Sequence, residues 1–161
     1  MFVVDTNILV YAADEASPLF GPARALVENW RASQEAWYST WSIQYEFLRV
    51  VTHRRALRRP RTAEWGWRFL AALHASPGFS TLAPTTRHAE VAQATFHEVP
   101  DLAGNALHDA HIAILMREHG IRTIYTRDAD FRRYPFLEMV DPFSGVRDRS
   151  KRRARRTVRP L

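Results

Sequence analysis

Short apolar runs alternate along the chain with longer segments in which apolar residues recur every three or four positions. The first pattern is typical of strands buried on both faces, and the second of helices with one buried side. The runs predict strands at Phe2–Val4, Trp37–Ser39, Phe79–Leu82 and Thr123–Thr126, with a fifth candidate at Met139–Val140. The longer segments predict helices at about Ile8–Ala13, Gly21–Ala32, Ile43–Thr52, Arg61–His74, Thr86–Phe96 and Asn105–His119.

Strand and helix segments follow one another along most of the chain, without an internal repeat. This order predicts an α/β fold of three layers, in which a central parallel sheet of four to five strands lies between helices. The 161 residues are enough for one domain with a full core.

Positive charge is concentrated at the carboxyl-terminal end. The net charge is +6, yet residues 145–161 alone hold eight basic residues against one acid, so the rest of the chain is close to neutral. A segment so rich in charge cannot bury a core. We therefore predict a domain at residues 1–144 and a solvated basic tail at residues 145–161.

Composition excludes several classes of protein. The chain has no cysteine, which rules out disulfides and thiolate metal sites. No apolar run approaches the roughly 20 residues that cross a bilayer, and the first residues lack the basic and apolar order of a signal peptide. We expect a cytoplasmic protein with no membrane association.

Acidic residues recur where a parallel sheet would bring them together. Asp5 directly follows the first strand, and Asp128 and Asp130 follow the fourth. Glu46 and Asp109 lie on predicted helices, next to apolar residues. Because strand ends and the helices that follow them share one edge of such a sheet, we expect these carboxylates to converge.

Most of these acids also have a structural interpretation when taken alone. Asp5 is, on position alone, more often a helix cap than a ligand. Glu46 suits a surface ion pair with Arg49 or Arg54 equally well. Asp128 and Asp130 are both suited to capping a short following helix, so each is a weak signal alone.

Asp109 is the sharpest candidate. The residues three, four and seven positions later are apolar and share its helix face. A charge on that face is costly to bury unless it is paired or binds a metal ion. Asn105, four residues earlier, lies on the same side and is a candidate for orienting it.

Converging carboxylates repel one another and need a cation. Ligands that are all oxygen suit Mg²⁺ or Mn²⁺ rather than zinc or copper. His108 and His111 have the spacing of half a zinc site, but no third nitrogen or sulfur ligand is suitably placed. We assign one of these histidines to the rim of the site and the other to the helix surface.

Four segments, in order, resemble the acidic motifs of PIN-domain nucleases and, within that family, of the VapC toxins. They are residues 4–9 (VDTNIL), 46–52 (EFLRVVT), 105–113 (NALHDAHIA) and 126–131 (TRDADF). The resemblance implies a Mg²⁺- or Mn²⁺-dependent endoribonuclease, the toxin of a toxin–antitoxin pair. Its implied partners are an RNA substrate, a cognate antitoxin and a second copy of itself in a homodimer. The basic tail departs from the family pattern.

The resemblance also implies roles for individual residues. The catalytic, metal-binding quartet would be Asp5, Glu46, Asp109 and Asp128, and Asp130 would be an auxiliary acid. Thr6, Asn7 and Thr126 would be supporting polar groups near the metal.

Basic and aromatic residues follow the second acidic motif. Arginines at positions 49, 54, 55, 58, 59 and 61 form a patch that begins on the Glu46 helix. Arg49, Arg54, Arg55 and Arg58 are candidates for binding RNA phosphate or an acidic antitoxin segment, and a solvated surface remains an equal alternative. Trp65, Trp67 and Phe69 are better suited to core or dimer packing than to base stacking, because two of them follow helical spacing.

Two other functions remain open from the sequence. A PIN-like scaffold that binds RNA or protein without cleaving it is the alternative, although the presence of all four acids argues against it. A phospho-acceptor switch of the response-regulator type also clusters acids at strand ends. Such switches use a lysine near the site, and the only lysine here is Lys151, in the tail.

Overall fold

Five parallel strands form the centre of the structure, a computed structural model that describes residues 1–145. Their order across the sheet is β3-β2-β1-β4-β5, and every neighbouring pair is parallel. The strands are β1 (Phe2–Val4), β2 (Trp37–Thr40), β3 (Phe79–Leu82), β4 (Thr123–Tyr125) and β5 (Glu138–Val140). The predicted parallel sheet is thus confirmed, including its fifth strand.

Six α-helices connect the strands within residues 1–145. They are α1 (Thr6–Ala13), α2 (Phe20–Ala32), α3 (Trp41–Thr52), α4 (Ala63–His74), α5 (His88–Glu98) and α6 (Ala106–Glu118), and a short 3₁₀ helix spans Ala129–Arg133. Each predicted helix is confirmed to within a few residues. The predicted basic tail lies, from residue 146 onward, outside the described residues.

The order of the strands explains the three layers. The chain moves outward from β1 to β3 and then crosses back to β4 on the other side of β1. Right-handed connections of this kind place α1 to α4 on one face and α5 with α6 on the other. Within residues 1–145, none of the helices has the length and apolar character needed to traverse a bilayer.

Aromatic side chains fill the amino-terminal end of the sheet. The Phe2 ring lies 4.9 Å from Trp30, and Trp37 lies 4.7 Å from Phe79, measured between ring centroids. The ring of Tyr125, the last residue of β4, also contacts Phe2 at 4.7 Å. Each such ring contributes about 1.5–3 kcal/mol when fully buried. This packing anchors the sheet at the end opposite Asp5, so the carboxyl edge is left for polar groups.

The aromatic residues of α4 have different environments. Phe69 stacks on Phe47 of α3 at 4.9 Å, and Trp65 stacks on Phe69 at 5.9 Å. Trp65 and Phe69 therefore pack against the core, as predicted from their spacing. Trp67 does not join them, since 48% of its surface is exposed.

The close approach at Gly78 gives a test of the fold. A Cβ at this position would lie 2.1 Å from the backbone oxygen of Glu35, so Gly78→Ala forces the chain before β2 to move. We expect a loss of about 1–3 kcal/mol in the free energy of unfolding. The thermal midpoint should fall by roughly 2–4 °C for each kcal/mol.

Gly21→Ala is the matched control, because a Cβ there meets no heavy atom within 4 Å. Gly21 lies in the first turn of α2 and precedes Pro22, so alanine gains less there over glycine than in a helix interior. Its midpoint should stay level or rise. Equal midpoints for the two variants would contradict the packing of Gly78 against residue 35.

Candidate metal centre

A cleft of about 900 Å³ opens at the carboxyl edge of the sheet, beside the ends of β1 and β4. Residues from α1, α3 and α6 line it together with the 3₁₀ helix and the turn before it. All five predicted acids face this cleft: Asp5, Glu46, Asp109, Asp128 and Asp130. The expected convergence of the carboxylates is therefore present.

Asp5 is both a helix cap and a member of the cleft. Its backbone N–H donates to the Tyr125 carbonyl at 3.0 Å, which extends the pairing of β1 with β4 by one residue. Its carboxylate caps α1 by accepting from the Thr6 backbone N–H at 2.6 Å. The other carboxylate oxygen accepts from the Asn7 amide and the Thr126 hydroxyl. The two interpretations of Asp5 are therefore not exclusive.

Burial dominates the ionisation of Asp5, which is only 6% exposed. Burial raises its pKa to about 7, against the opposing effect of the hydrogen bonds from Thr126 and Thr6. The nearby Glu46 and Asp109 carboxylates raise it further. Asp5 is thus a carboxyl group whose charged form is stabilised when a cation is close.

Glu46 reaches the cleft from α3, whose apolar side is buried through Ile43, Phe47 and Val51. The Thr6 hydroxyl donates to one Glu46 oxygen at 3.1 Å, and the Arg49 guanidinium contacts the other at 3.1 Å. The predicted alternative, an ion pair with Arg49, is therefore present together with the cleft position. Arg49 itself also lines the cleft.

Asp109 enters from the first turn of α6 and is partly buried. Burial raises its pKa to about 6, and the charges of Asp128 and Asp130 raise it further, while Arg133 lowers it. The apolar residues that share its helix face are all buried: Ile112, Ala113 and Met116. The predicted cost of placing a charge on this face is thus visible in its pKa.

Asp128 and Asp130 both face Asp109. One carboxylate oxygen from each of the three residues lies within 4.8 Å of the others. Asp128 also caps the 3₁₀ helix by accepting from the Asp130 N–H at 2.9 Å, and Asp130 forms an ion pair with Arg133 at 3.2 Å. Both acids of the turn therefore combine a structural contact with a place in the acidic group.

Thr126 joins the two halves of the cleft. Its hydroxyl donates to Asp5 and accepts from the Asn7 amide and the Asp128 backbone N–H, both at 2.9 Å. Asn7 in turn accepts from the Arg127 N–H at 3.3 Å. These contacts place Thr6, Asn7 and Thr126 as neighbours of the acids, where the sequence predicted supporting polar groups.

Asn105 and the two histidines have different surroundings. Asn105 lines the cleft but is exposed, and it makes no side-chain hydrogen bond to Asp109 within residues 1–145. The predicted orienting contact is therefore not formed. His108 lies at the cleft, whereas His111 packs near His88, with 5.8 Å between ring centroids. His108 is therefore at the rim of the cleft, whereas His111 is half-buried against His88 of α5.

The predicted arginine patch divides into two parts. Arg61 is engaged with Glu15 at 2.8 Å and lies over the Trp65 ring at 4.8 Å. The remaining members after α3 are exposed on the turns that follow the helix: Arg54, Arg55, Arg58 and Arg59. They lie outside the cleft lining, so only Arg49 of the patch reaches the acids directly.

Two features of the cleft were not predicted from the sequence. Tyr45 lines the cleft next to Glu46, and Arg133 is the cation that opposes the raised pKa of Asp109. Tyr45 and Trp41 are four positions apart on one helix, a spacing that already predicts a shared side. Arg133 gave no comparable signal, because its role depends on a turn that folds back toward α6.

The donor groups fit a divalent cation. The lining offers carboxylate and hydroxyl oxygens, which suit Mg²⁺ or Mn²⁺. Burial, and then the neighbouring carboxylates, raise the pKa of both Asp5 and Asp109, so a bound cation would stabilise their charged forms.

Residues 2–137 match the family model of the PIN domain. The chain belongs to the PIN-domain family. Ribonuclease VapC48 of Mycobacterium tuberculosis is 34% identical over 141 residues, covering 88% of this chain and 97% of that protein. Ribonuclease VapC43 of the same organism is 32% identical over 145 residues, covering 90% and 97%.

Solved structures show the same fold. The crystal structure of VapC20 from M. tuberculosis, described as a sarcin–ricin loop cleaving toxin, matches with a TM-score of 0.58 at 21% identity. It covers 82% of this chain and 93% of that one. FitAcB of Neisseria gonorrhoeae also matches with a TM-score of 0.58, at 16% identity, covering 89% and 99%. PIN-domain nucleases use divalent metal ions, in agreement with the acidic group found here.

The raised pKa values predict how the metal-free fold responds to pH. The pKa of Asp109 rises from 3.8 to about 6, so the folded protein retains a proton that the unfolded chain has lost. The contribution of the Asp109 carboxyl to the free energy of unfolding is therefore complete below pH 3.8 and is lost as pH rises toward 6. Asp109→Asn removes the effect, and its thermal midpoint in chelator should rise relative to wild type across this range. Allowing for solvent screening, we expect about 1 kcal/mol, or roughly 2–4 °C, at pH 8.

The comparison is made by thermal melts from pH 4 to pH 8, with Glu64→Gln as the control. Glu64 is exposed on α4 and lies outside the cleft lining, so its removal should leave the wild-type profile. Parallel profiles for wild type and Asp109→Asn would contradict the assigned pKa.

Proposed function

We propose that this protein is a divalent-metal-dependent endoribonuclease that acts as the toxin of a toxin–antitoxin pair. The observation that carries the proposal is the convergence of five carboxylates in one cleft. Membership of the PIN-domain family supports it, because PIN-domain nucleases are metal-dependent endoribonucleases. Relatives that match almost the whole domain are named VapC ribonucleases.

The proposed roles follow the contacts in the cleft. Asp5 and Asp109 are the core ligands, and Glu46 and Asp128 bind either directly or through water. Asp130 is an auxiliary acid. A bound Mg²⁺ or Mn²⁺ would activate a water molecule near neutral pH and stabilise charge on the phosphate and the leaving oxygen.

The side chains around the acids position them. Three donors hold the Asp5 carboxylate: the Thr6 backbone, the Asn7 amide and the Thr126 hydroxyl. Fixed oxygens need little rearrangement when a ligand binds, which favours a tight site. Arg49 is the cation of the lining nearest Glu46, and we propose that it contacts a substrate phosphate there.

The partner is proposed from neighbours of the same fold. VapBC2 of Rickettsia felis and FitAB are antitoxin–toxin complexes, each described as bound to a DNA fragment. We propose that a cognate antitoxin binds this protein as well. The homodimer remains a prediction.

Loss of individual acids tests the catalytic proposal. Wild-type protein should cleave RNA in Mg²⁺ or Mn²⁺ and lose activity in chelator. Asp5→Asn and Asp109→Asn should each lower the cleavage rate more than about 100-fold, because even groups that only support a ligand cost 10–100-fold. The rates are measured on a short labelled RNA, and the cut ends are mapped.

Glu64→Gln serves again as the control, since it removes a carboxylate that lies outside the cleft lining. It should cleave at the wild-type rate. A wild type that binds RNA without cutting it would favour the scaffold alternative. Full cleavage by both asparagine variants would contradict the site assignment.

Removing the exposed arginines after α3 tests whether they attract RNA. The triple variant Arg54→Gln/Arg55→Gln/Arg58→Gln should bind single-stranded RNA more weakly, without sequence preference. The slope of log affinity against log salt should fall by about 0.7 for each lost phosphate contact. Binding is measured in chelator, so that cleavage does not interfere.

Arg122→Gln is the matched control. Arg122 is exposed and precedes β4, at the edge of the sheet opposite the cleft. It should leave the salt slope unchanged. An unchanged slope in the triple variant would contradict RNA binding by this surface and leave the antitoxin and the solvated surface as the alternatives.

A further inference from the structure

Two exposed aromatic side chains lie together on α3, next to Glu46. Trp41 is 45% exposed and Tyr45 is 64% exposed. They are four residues apart, so they share one side of the helix, and their ring centroids are 6.2 Å apart. Single exposed aromatic residues are ordinary, but an adjacent pair at the mouth of a cleft indicates a binding surface.

Contacts with α4 and β3 fix the position of the Trp41 ring. Its ring stacks on His74 of α4, with 5.8 Å between centroids and an interplanar angle of 28°. The His74 Nε2 atom hydrogen-bonds the Gln44 side-chain oxygen at 2.9 Å, and the buried Gln44 donates to the Thr81 hydroxyl of β3 at 2.9 Å. This chain of contacts ties the Trp41 ring to the sheet.

Tyr45 is the member of the pair that lines the acidic cleft. It lines the same cavity as Asp5, Glu46 and Asp109, and it directly precedes Glu46 in α3. One side of the pair therefore faces the place where the scissile phosphate is proposed to lie. A ligand that contacts both the acidic cleft and the aromatic pair must present an anionic group and a flat apolar face a short distance apart. A nucleotide has both features.

The lining around Tyr45 decides between kinds of ligand. It contains Arg49 and five carboxylates, whereas the core of a protein–protein interface is depleted of charged residues. Unpaired bases of RNA are commonly bound by stacking on aromatic side chains. We propose that Tyr45, supported by Trp41, stacks an unpaired nucleobase beside the scissile phosphate. This inference rests on the proposed ribonuclease function.

The proposal restricts the substrate. A base that stacks on Tyr45 has to leave its own helix, so the cleaved RNA is single-stranded or looped at the cut. RNA fully paired across the same sequence should be a poor substrate. The stacking itself tolerates every base, because each has a flat π face.

Substitution of Tyr45 and removal of the base test the stacking together. Tyr45→Ala should raise KM for a short single-stranded RNA by about 5- to 100-fold, with kcat changed less. Tyr45→Phe should remain close to wild type, because it keeps the ring. Trp41→Ala should show a smaller rise in KM. Trp67→Ala is the matched control, since Trp67 is similarly exposed but does not line the cleft.

Abasic substrates then identify the stacked position. RNAs are prepared with an abasic residue on either side of the mapped cut. One of them should lower wild-type affinity by the same factor as Tyr45→Ala, and Tyr45→Ala should lose nothing more on that RNA. Equal losses on intact and abasic RNA would overturn the proposal, as would a wild-type KM in Tyr45→Ala.

Two further measurements distinguish base stacking from an interface between copies and from loss of cleavage itself. The mass in solution of each variant is determined by light scattering, and loss of a dimer together with activity would overturn the proposal in favour of the interface. Binding of labelled RNA in chelator gives a readout without cleavage. A wild type that fails to cut RNA contradicts the proposed function, yet weaker binding by Tyr45→Ala alone would still support stacking.

Discussion

The cleft depends on the pairing of β1 with β4, because this pairing joins residues that are far apart in the chain. The Asp5 N–H extends the ladder to Tyr125, and the Thr126 hydroxyl then reaches the Asp5 carboxylate across 121 positions of sequence. The same hydroxyl accepts from Asn7 and from the Asp128 backbone. One side chain therefore sets the relative positions of the first acid and the last acidic turn. An error in strand register would separate them, since a shift by one residue reverses every side chain.

The acidic cleft is costly to the fold, and the opposite end of the sheet offsets that cost. Burial raises the pKa of Asp5 to about 7, so without a cation this carboxyl group is only partly ionised near neutral pH. The aromatic packing around Phe2 and Trp37 lies at the other end of the same strands. Such a division, with a well-packed end and a functional end that carries buried carboxyl groups, is expected where a binding site is built from like charges.

The sequence predicted the sheet, the helices and the acidic cleft because these depend on short-range pattern and on one rule of α/β topology. Phe2–Val4 is apolar throughout, and Asp5 follows at once, so both the buried strand and the edge residue can be read locally. The orienting contact expected of Asn105 is not formed, because α6 begins one residue later and leaves Asn105 exposed before it, although Asn105 still lines the cleft. Arg133 and the support of Trp41 by His74 depend on contacts between elements distant in sequence, which no local pattern encodes.

Asp109 connects the two sides of the acidic group. Burial raises its pKa most, and the charges of Asp128 and Asp130, on the side of β4, and of Glu46, on the side of α3, raise it further. Asp5, which lies between those elements, has its own pKa raised by both Glu46 and Asp109. The ionisation of Asp109 therefore depends on carboxylates from both sides of the cleft, and that of Asp5 depends in part on Asp109. Asp128 and Asp130 each place a carboxylate oxygen within 4.8 Å of the same Asp109 oxygen, so the geometry allows either acid of the turn to share a cation with Asp109.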